Sequence, residues 1–181
     1  MIIFMGVAGS GKSMQGRMLA DELGLPWLST GEFLRMLISG KQRKDMVAGK
    51  LLDDQQIIAL VQKIFHLINT GDEFVLDGFP RSAAQADWLL AQIKHGQLKV
   101  TAVVHLKASP EIVQQRLLSR GRPDDTAQAI RERFAEYEES IKPILDHFKQ
   151  AGVTVCDIDA EADATRVHQA ILKAINNAKQ N

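Results

Sequence analysis

Cysteine is almost missing from this chain. Cys156 is the single one in 181 residues, which excludes an internal disulfide and any Cys-x-x-Cys metal or redox motif. Charge of one sign is lacking too. Lys plus Arg and Asp plus Glu each number 22, so the net charge is zero. That balance argues against a broad nucleic-acid or anionic-membrane surface while leaving room for a local basic cleft. No apolar run approaches the ~20 residues that a membrane span needs. No basic stretch precedes the first apolar residues, so no signal peptide is expected. Internal repeats, low-complexity tracts and linkers are absent as well. What is there is an ordinary globular mixture, 45% hydrophobic and 24% charged. A chain of this length is expected to form about one domain and to bury roughly 70% of its unfolded surface. These bounds imply a soluble cytoplasmic domain.

Short apolar runs alternate with amphipathic stretches. Strands are expected at Ile2–Met5, Pro26–Ser29, Phe74–Leu76, Val100–Leu106 and Val153–Ile158. Between them, helices are expected over 12–23, 30–38, 82–94 and 162–178, with another starting at Ser109-Pro110-Glu111. Asp53 and Asp54 can cap a helix whose Ile57, Leu60, Val61, Ile64, Phe65 and Ile68 make one buried face, with Gly71 ending it. A long helix should follow Asp125 and kink or break near Pro143. Strands separated by helices imply an α/β fold, a parallel sheet covered on both faces with right-handed crossovers. Ligands then sit at the carboxyl ends of the strands.

Gly6-Val7-Ala8-Gly9-Ser10-Gly11-Lys12-Ser13 fits Gly-x-x-x-x-Gly-Lys-Ser/Thr and lies between a strand and a helix. Its glycines let backbone N–H groups wrap phosphate oxygens, and the helix N-terminus adds positive potential. Lys12 is expected to reach the β- and γ-phosphates, and the Ser13 hydroxyl to ligate Mg²⁺. Phe74-Val75-Leu76-Asp77-Gly78-Phe79-Pro80-Arg81 then puts an acid at a strand end and an arginine four residues on. Asp77 can hold Mg²⁺ through its waters, or it is a turn cap.

With these motifs in place, the chain resembles the adenylate kinase family of nucleoside monophosphate kinases. The matching stretches are the phosphate loop with Gln15, Leu28-Ser29-Thr30-Gly31-Glu32-Phe33-Leu34-Arg35, and Leu76–Arg81 with Gln85. They continue with Arg116-Leu117-Leu118-Ser119-Arg120-Gly121-Arg122-Pro123-Asp124-Asp125 and Arg133. The resemblance implies a P-loop NTPase three-layer sandwich with a five-stranded parallel sheet. It also implies a monophosphate-binding lobe near 30–60 and a truncated lid near 120–125. The reaction it implies is reversible transfer of the ATP γ-phosphoryl group to AMP, with Mg²⁺ and no zinc. By the same resemblance, Gly6, Ala8, Gly9, Ser10, Gly11, Lys12, Ser13, Met14 and Arg116 would bind ATP, Arg116 by stacking on the adenine. Thr30, Gly31, Arg35, Leu52, Gly78, Arg81 and Gln85 would bind AMP. Lys12, Arg81, Arg120, Arg122 and Arg133 would be catalytic. The implied partners are the two nucleotides, with no nucleic acid and no membrane, on a monomer or weak oligomer.

The chemistry agrees with this. The attacking phosphate is already an anion, so alignment and fixed cations suffice and no strong base is needed. Guanidinium forks bind phosphate oxygens in pairs. On the helix after Asp125, Arg133 lies roughly 70° from the centre of the stripe Ile130, Phe134, Tyr137, Ile141, and Arg131 roughly 90° on the other side. Arg133 is therefore the better placed for a cleft. Arg17, Arg43 and Arg166 are read as surface residues, and the five histidines lack metal-like spacing. Cys156 and the tryptophans Trp27 and Trp88 are assigned to the core. Asp124 and Asp125 are read as helix caps, with steering of the lid arginines suggested by the resemblance.

The chain departs from the family pattern in the phosphate loop, in the stretch before the next helix, and in the lid. Ala8 stands where proline is usual and Met14 where threonine is usual. Gly40–Leu52 is several residues shorter than usual, and one residue separates Arg120 from Arg122. A trimmed lid should exclude water less well. Two alternatives stay open: a UMP or CMP kinase, and a nucleotide-binding regulator or ATPase with weakened transfer.

Overall fold

The computed structural model describes residues 1–40, 44, 53–121 and 125–180. Its order is β1 (Ile2–Met5), α1 (Lys12–Leu23), β2 (Trp27–Ser29), α2 (Thr30–Leu37), α3 (Asp54–Phe65), β3 (Val75–Asp77) and α4 (Ala83–Lys94). There follow β4 (Ala102–Lys107), α5 (Pro110–Arg120), α6 (Ala127–Glu136), a π-helical turn (Tyr137–Ile141), α7 (Lys142–Gln150), β5 (Val155–Asp159) and α8 (Ala164–Gln180). The strands form one five-stranded parallel sheet in the order β2-β3-β1-β4-β5.

The period-2 alternation of β1 decides what packs where. Ile3 and Met5 enter a core built with α3, α4 and α7, including Val61, Leu89 and Phe148. Ile2 and Phe4 face the other way, onto Leu19 of α1 and Val167 and Ile171 of α8. Each such side chain, fully buried, contributes about 1.5–3 kcal/mol of transfer free energy, so the central strand is stapled to both helical layers. Connections from β1 run to one side through β2 and β3, and β4 lies on the other side. The switch point is therefore at the carboxyl end of β1, where the phosphate loop begins.

Local signals and tertiary pairing differ at several ends. β4 and β5 each start two residues later than their apolar runs: β4 begins where β1 offers Ile2 opposite Ala102, and β5 where β4 offers Val103 opposite Val155. Helix α3 ends at Phe65 rather than running to Gly71. The break near Pro143 takes the form of the π-helical turn, in which the Lys142 N–H reaches the Tyr137 carbonyl. Proline has no N–H for the carbonyl four residues back and its ring crowds that carbonyl, so the wider turn resolves the conflict just ahead of it. Cys156 is half-buried on β5 rather than in the core. No helix among the described residues is long and apolar enough to cross a membrane.

Candidate active site

A cleft of about 590 Å³ opens at the carboxyl ends of β1, β2 and β3. That size is ordinary for a ligand pocket. One wall is the phosphate loop, from which Ala8, Gly9, Gly11, Lys12, Ser13 and Met14 line the space. Gly6 and Ser10 are not in the lining, and Ser10 is buried beneath it. Gly9 adopts φ +88°, and a Cβ there would stand 2.8 Å from Leu117 Cγ. The loop can therefore lie against α5 only because this residue has no side chain.

Lys12 turns back over the loop. Its ammonium donates to the Gly6 carbonyl at 2.7 Å and the Val7 carbonyl at 2.8 Å. Burial pushes its pKa down to about 8, partly offset by the Asp77 carboxylate. A lysine held this way is poised to regain full charge when a phosphate arrives.

Asp77 is buried at the end of β3, in register with Ser29 of β2. Its Oδ2 accepts from Ser13 at 2.6 Å and from Ser29 at 3.1 Å. A hydroxyl and a carboxylate brought together beside the phosphate-loop lysine are hard oxygen donors, the chemistry that Mg²⁺ takes. These residues therefore fit the Mg²⁺ that the resemblance implies.

On the next wall, Thr30 donates to the Gly78 carbonyl at 2.8 Å. Gly78 adopts φ +82°, and a Cβ would meet the Thr30 hydroxyl at 2.9 Å, so α2 can close on the β3 turn only at a glycine. Arg81 follows the cis Phe79–Pro80 bond and anchors its Nε on the Gly78 carbonyl at 3.0 Å. Arg35 pairs with Glu32 at 3.0 Å on α2. Gln85 lies in the first turn of α4. Its Oε1 accepts the Arg81 backbone N–H at 2.8 Å and its Nε2 donates to Asp54 Oδ1 at 2.7 Å. Thr30, Gly31, Arg35, Gly78, Arg81 and Gln85 all line the cleft.

The last wall carries Arg116, Arg120 and Arg133. Arg116 is tethered to the carbonyls of Ala160 at 2.8 Å and Glu161 at 3.4 Å. Of the two roles expected of Asp125, the cap falls to Thr126, which accepts the Ala129 N–H at 3.2 Å. The Asp125 carboxylate is instead buried and takes Arg120 through two bonds of 2.8 and 2.6 Å and Arg133 at 3.1 Å. Arg131 bonds to Gln128 on the exposed side of α6. Leu52, Arg122 and the surface assignment of Arg43 lie outside the described residues.

Sequence reasoning passed over two residues of the site, Glu136 and Asp54, and one structural contact, made by His105. Glu136, one residue before the π-helical turn, lines the cleft and acts electrostatically on Lys12. Asp54 holds Gln85 while the true cap of α3 is Asp53, which accepts the Gln56 N–H at 3.1 Å. His105, in line with Met5 and Asp157 across the sheet, bridges Asp157 at 2.7 Å and the Tyr137 hydroxyl at 2.8 Å. The first was hidden by ordinary helix composition. An acid three residues before the helical face was the one available signal for the second.

Comparison with known proteins agrees with the cleft. The profile of the adenylate kinase family matches residues 4–153. The adenylate kinase of Corynebacterium urealyticum is 35% identical over 181 residues, covering 97% of this chain and 98% of that one. That of Mycolicibacterium vanbaalenii is 35% identical, covering 96% and 98%. Adenylate kinase 1 of a Synechocystis species is 38% identical, covering 83% and 84%. The family match takes in the phosphate loop and every residue that lines the cleft, and the chain accordingly belongs to the adenylate kinase family of phosphotransferases.

Proposed function

We propose that the chain moves the γ-phosphoryl group of ATP reversibly to AMP, giving two ADP. What supports this most is the meeting of a phosphate loop, a set of arginines and one base-reading amide, Gln85, in a single cleft. An AMP phosphate oxygen attacks the γ-phosphorus in line, and the bond to the β–γ bridging oxygen breaks with ADP as the leaving group. Lys12 and the loop N–H groups hold the donor. Arg35 and Arg81 hold the acceptor phosphate. Arg120 and Arg133 face the charge that builds on the transferring group, and the same role is assigned to Arg122. Arg116 flanks the donor base, and Thr30, Gly31, Leu52, Gly78 and Gln85 cradle the acceptor. Ser13 and Asp77 would hold Mg²⁺, which when bound neutralises phosphate charge.

The reading assigns 30–60 to a monophosphate lobe and 120–125 to a short lid. It makes nucleotides the partners of a cytoplasmic monomer or weak oligomer, with no nucleic acid or membrane involved. Its test is an acceptor screen with Mg-ATP and AMP, CMP, UMP or GMP. Fast ADP formation with AMP is the expected result. Preference for UMP or CMP would reassign the acceptor, and hydrolysis indifferent to acceptor would replace the transferase with an ATPase.

A further inference from the structure

The Gln85 carboxamide is gripped at both ends, and its two grips are chemically opposite. Its Oε1 faces a group that can only donate, the Arg81 backbone N–H at 2.8 Å. Its Nε2 faces a group that accepts, Asp54 Oδ1 at 2.7 Å. The same Oδ1 takes the Ser82 hydroxyl at 2.7 Å, and Ser82 in turn accepts the Gln85 backbone N–H at 3.2 Å. Turning the amide over would set oxygen against carboxylate and N–H against N–H, so one orientation is held. Asp54 is not among the residues lining the cleft. It works from behind, as the first residue of α3, on a side chain of α4.

We propose that Asp54 is a positioning residue that sets acceptor-base specificity by locking the orientation of the Gln85 carboxamide. This rests on the reading of Gln85 as the residue that meets the acceptor base. With the lock in place, the free lone pair of Oε1 and the free N–H of Nε2 are offered in a fixed order. A base edge with an exocyclic amine beside a bare ring nitrogen, as in adenine and cytosine, meets that order with donor to acceptor and acceptor to donor. An edge with a carbonyl beside a ring N–H, as in guanine and uracil, meets it acceptor to acceptor. The arginines hold the phosphate end, so the base cannot turn over to compensate. Sites that pair buried polar groups discriminate strongly against ligands that leave them unpaired.

The test is steady-state kinetics of the full chain with AMP, CMP, GMP and UMP, for the parent, Asp54→Ala, Asp54→Asn, Gln85→Ala and Asp54→Ala/Gln85→Ala. In Asp54→Ala, kcat/KM for AMP and CMP should fall about tenfold, mostly through KM, while GMP and UMP change less than about threefold. Asp54→Asn keeps an oxygen that accepts from both Gln85 and Ser82, and should stay within about threefold of the parent. Added to Gln85→Ala, Asp54→Ala should cost no more than about twofold further. The AMP-to-GMP ratio is read on one preparation, so the fraction of folded enzyme cancels. Equal losses for all four acceptors overturn the lock, as does an undiminished Asp54→Ala effect in the Gln85→Ala background. An Asp54→Asn as damaged as Asp54→Ala overturns it too. If Gln85→Ala keeps the parent KM for AMP, the reading of Gln85 fails, and the lock with it. A normal Gln85→Ala loss with additive Asp54→Ala removes the lock alone.

Discussion

Lys12 shows how one buried cation is tuned by what surrounds it. Its ammonium leans on two loop carbonyls, and desolvation brings its pKa to about 8. Nucleotide phosphates favour the charged form, so binding at pH 8.5 should draw protons from solution. Calorimetry of ATP binding in two buffers of different ionisation enthalpy should show that uptake, and it should vanish in Lys12→Arg, because arginine stays charged. Matching apparent enthalpies for the parent would refute the tuning. The sign for stability follows. The folded-state value lies below the unfolded one, so the cost of burying this charge is full below about pH 8 and is relieved as pH rises toward the ordinary lysine value. Arg81, whose Nε is anchored on the Gly78 carbonyl, is the residue the proposed function assigns to the acceptor phosphate. Arg81→Ala should lower kcat for transfer by about 10²–10³-fold and leave ATP affinity within about threefold. Comparable loss of ATP affinity would contradict its assignment to the acceptor.

Between α5 and α6 a single carboxylate joins two elements. Arg120 ends α5, Arg133 lies in the last turn of α6, and the buried Asp125 between them takes both. Like-charged guanidiniums can be held near one another in the cleft because this anion sits behind them. Removing it takes away the buried anion that both guanidiniums bond to. Asp125→Ala should cost about 3 kcal/mol and lower Tm by roughly 6–12 °C. Transfer should fall as well, since both arginines lose their aim. A melting curve that overlays the parent's would mean that the carboxylate is not what orders this corner. From the residues alone Asp125 was legible as a polar residue ahead of a helix, and the family resemblance added a role beside the arginines; cap and counter-ion look alike until the fold brings Arg133 back over it. The π-helical turn is a similar case. Pro143 announced a break, but its placement at Tyr137–Ile141 follows from packing, which puts the Tyr137 hydroxyl on His105 of β4.

At the scale of the molecule, two helical layers cover a five-stranded sheet whose carboxyl edge opens into the cleft, and the short lid proposed at 120–125 bears on how well water is kept out. With one residue between Arg120 and Arg122, closure should shield the transferring group less than a longer lid would. Purified protein given Mg-ATP and no acceptor should therefore release phosphate at a rate measurable above the buffer blank by a coupled phosphate assay. Release no faster than the blank would show that the short lid seals the site.

The sequence by itself determined the phosphate loop, the strand–helix alternation, the acid ending β3 and the arginine set, since each is a local pattern whose physics needs only neighbours along the chain. Tertiary structure decided the rest. It chose the order β2-β3-β1-β4-β5, which sets Asp77 beside Ser29 by sheet register and within reach of Ser13 at the start of α1. It also decided that Asp54 grips Gln85 and that Asp125 grips two arginines. Those contacts join residues from separate helices and loops, and hydrogen-bond geometry between such parts exists only after the apolar faces of the helices have docked on the sheet.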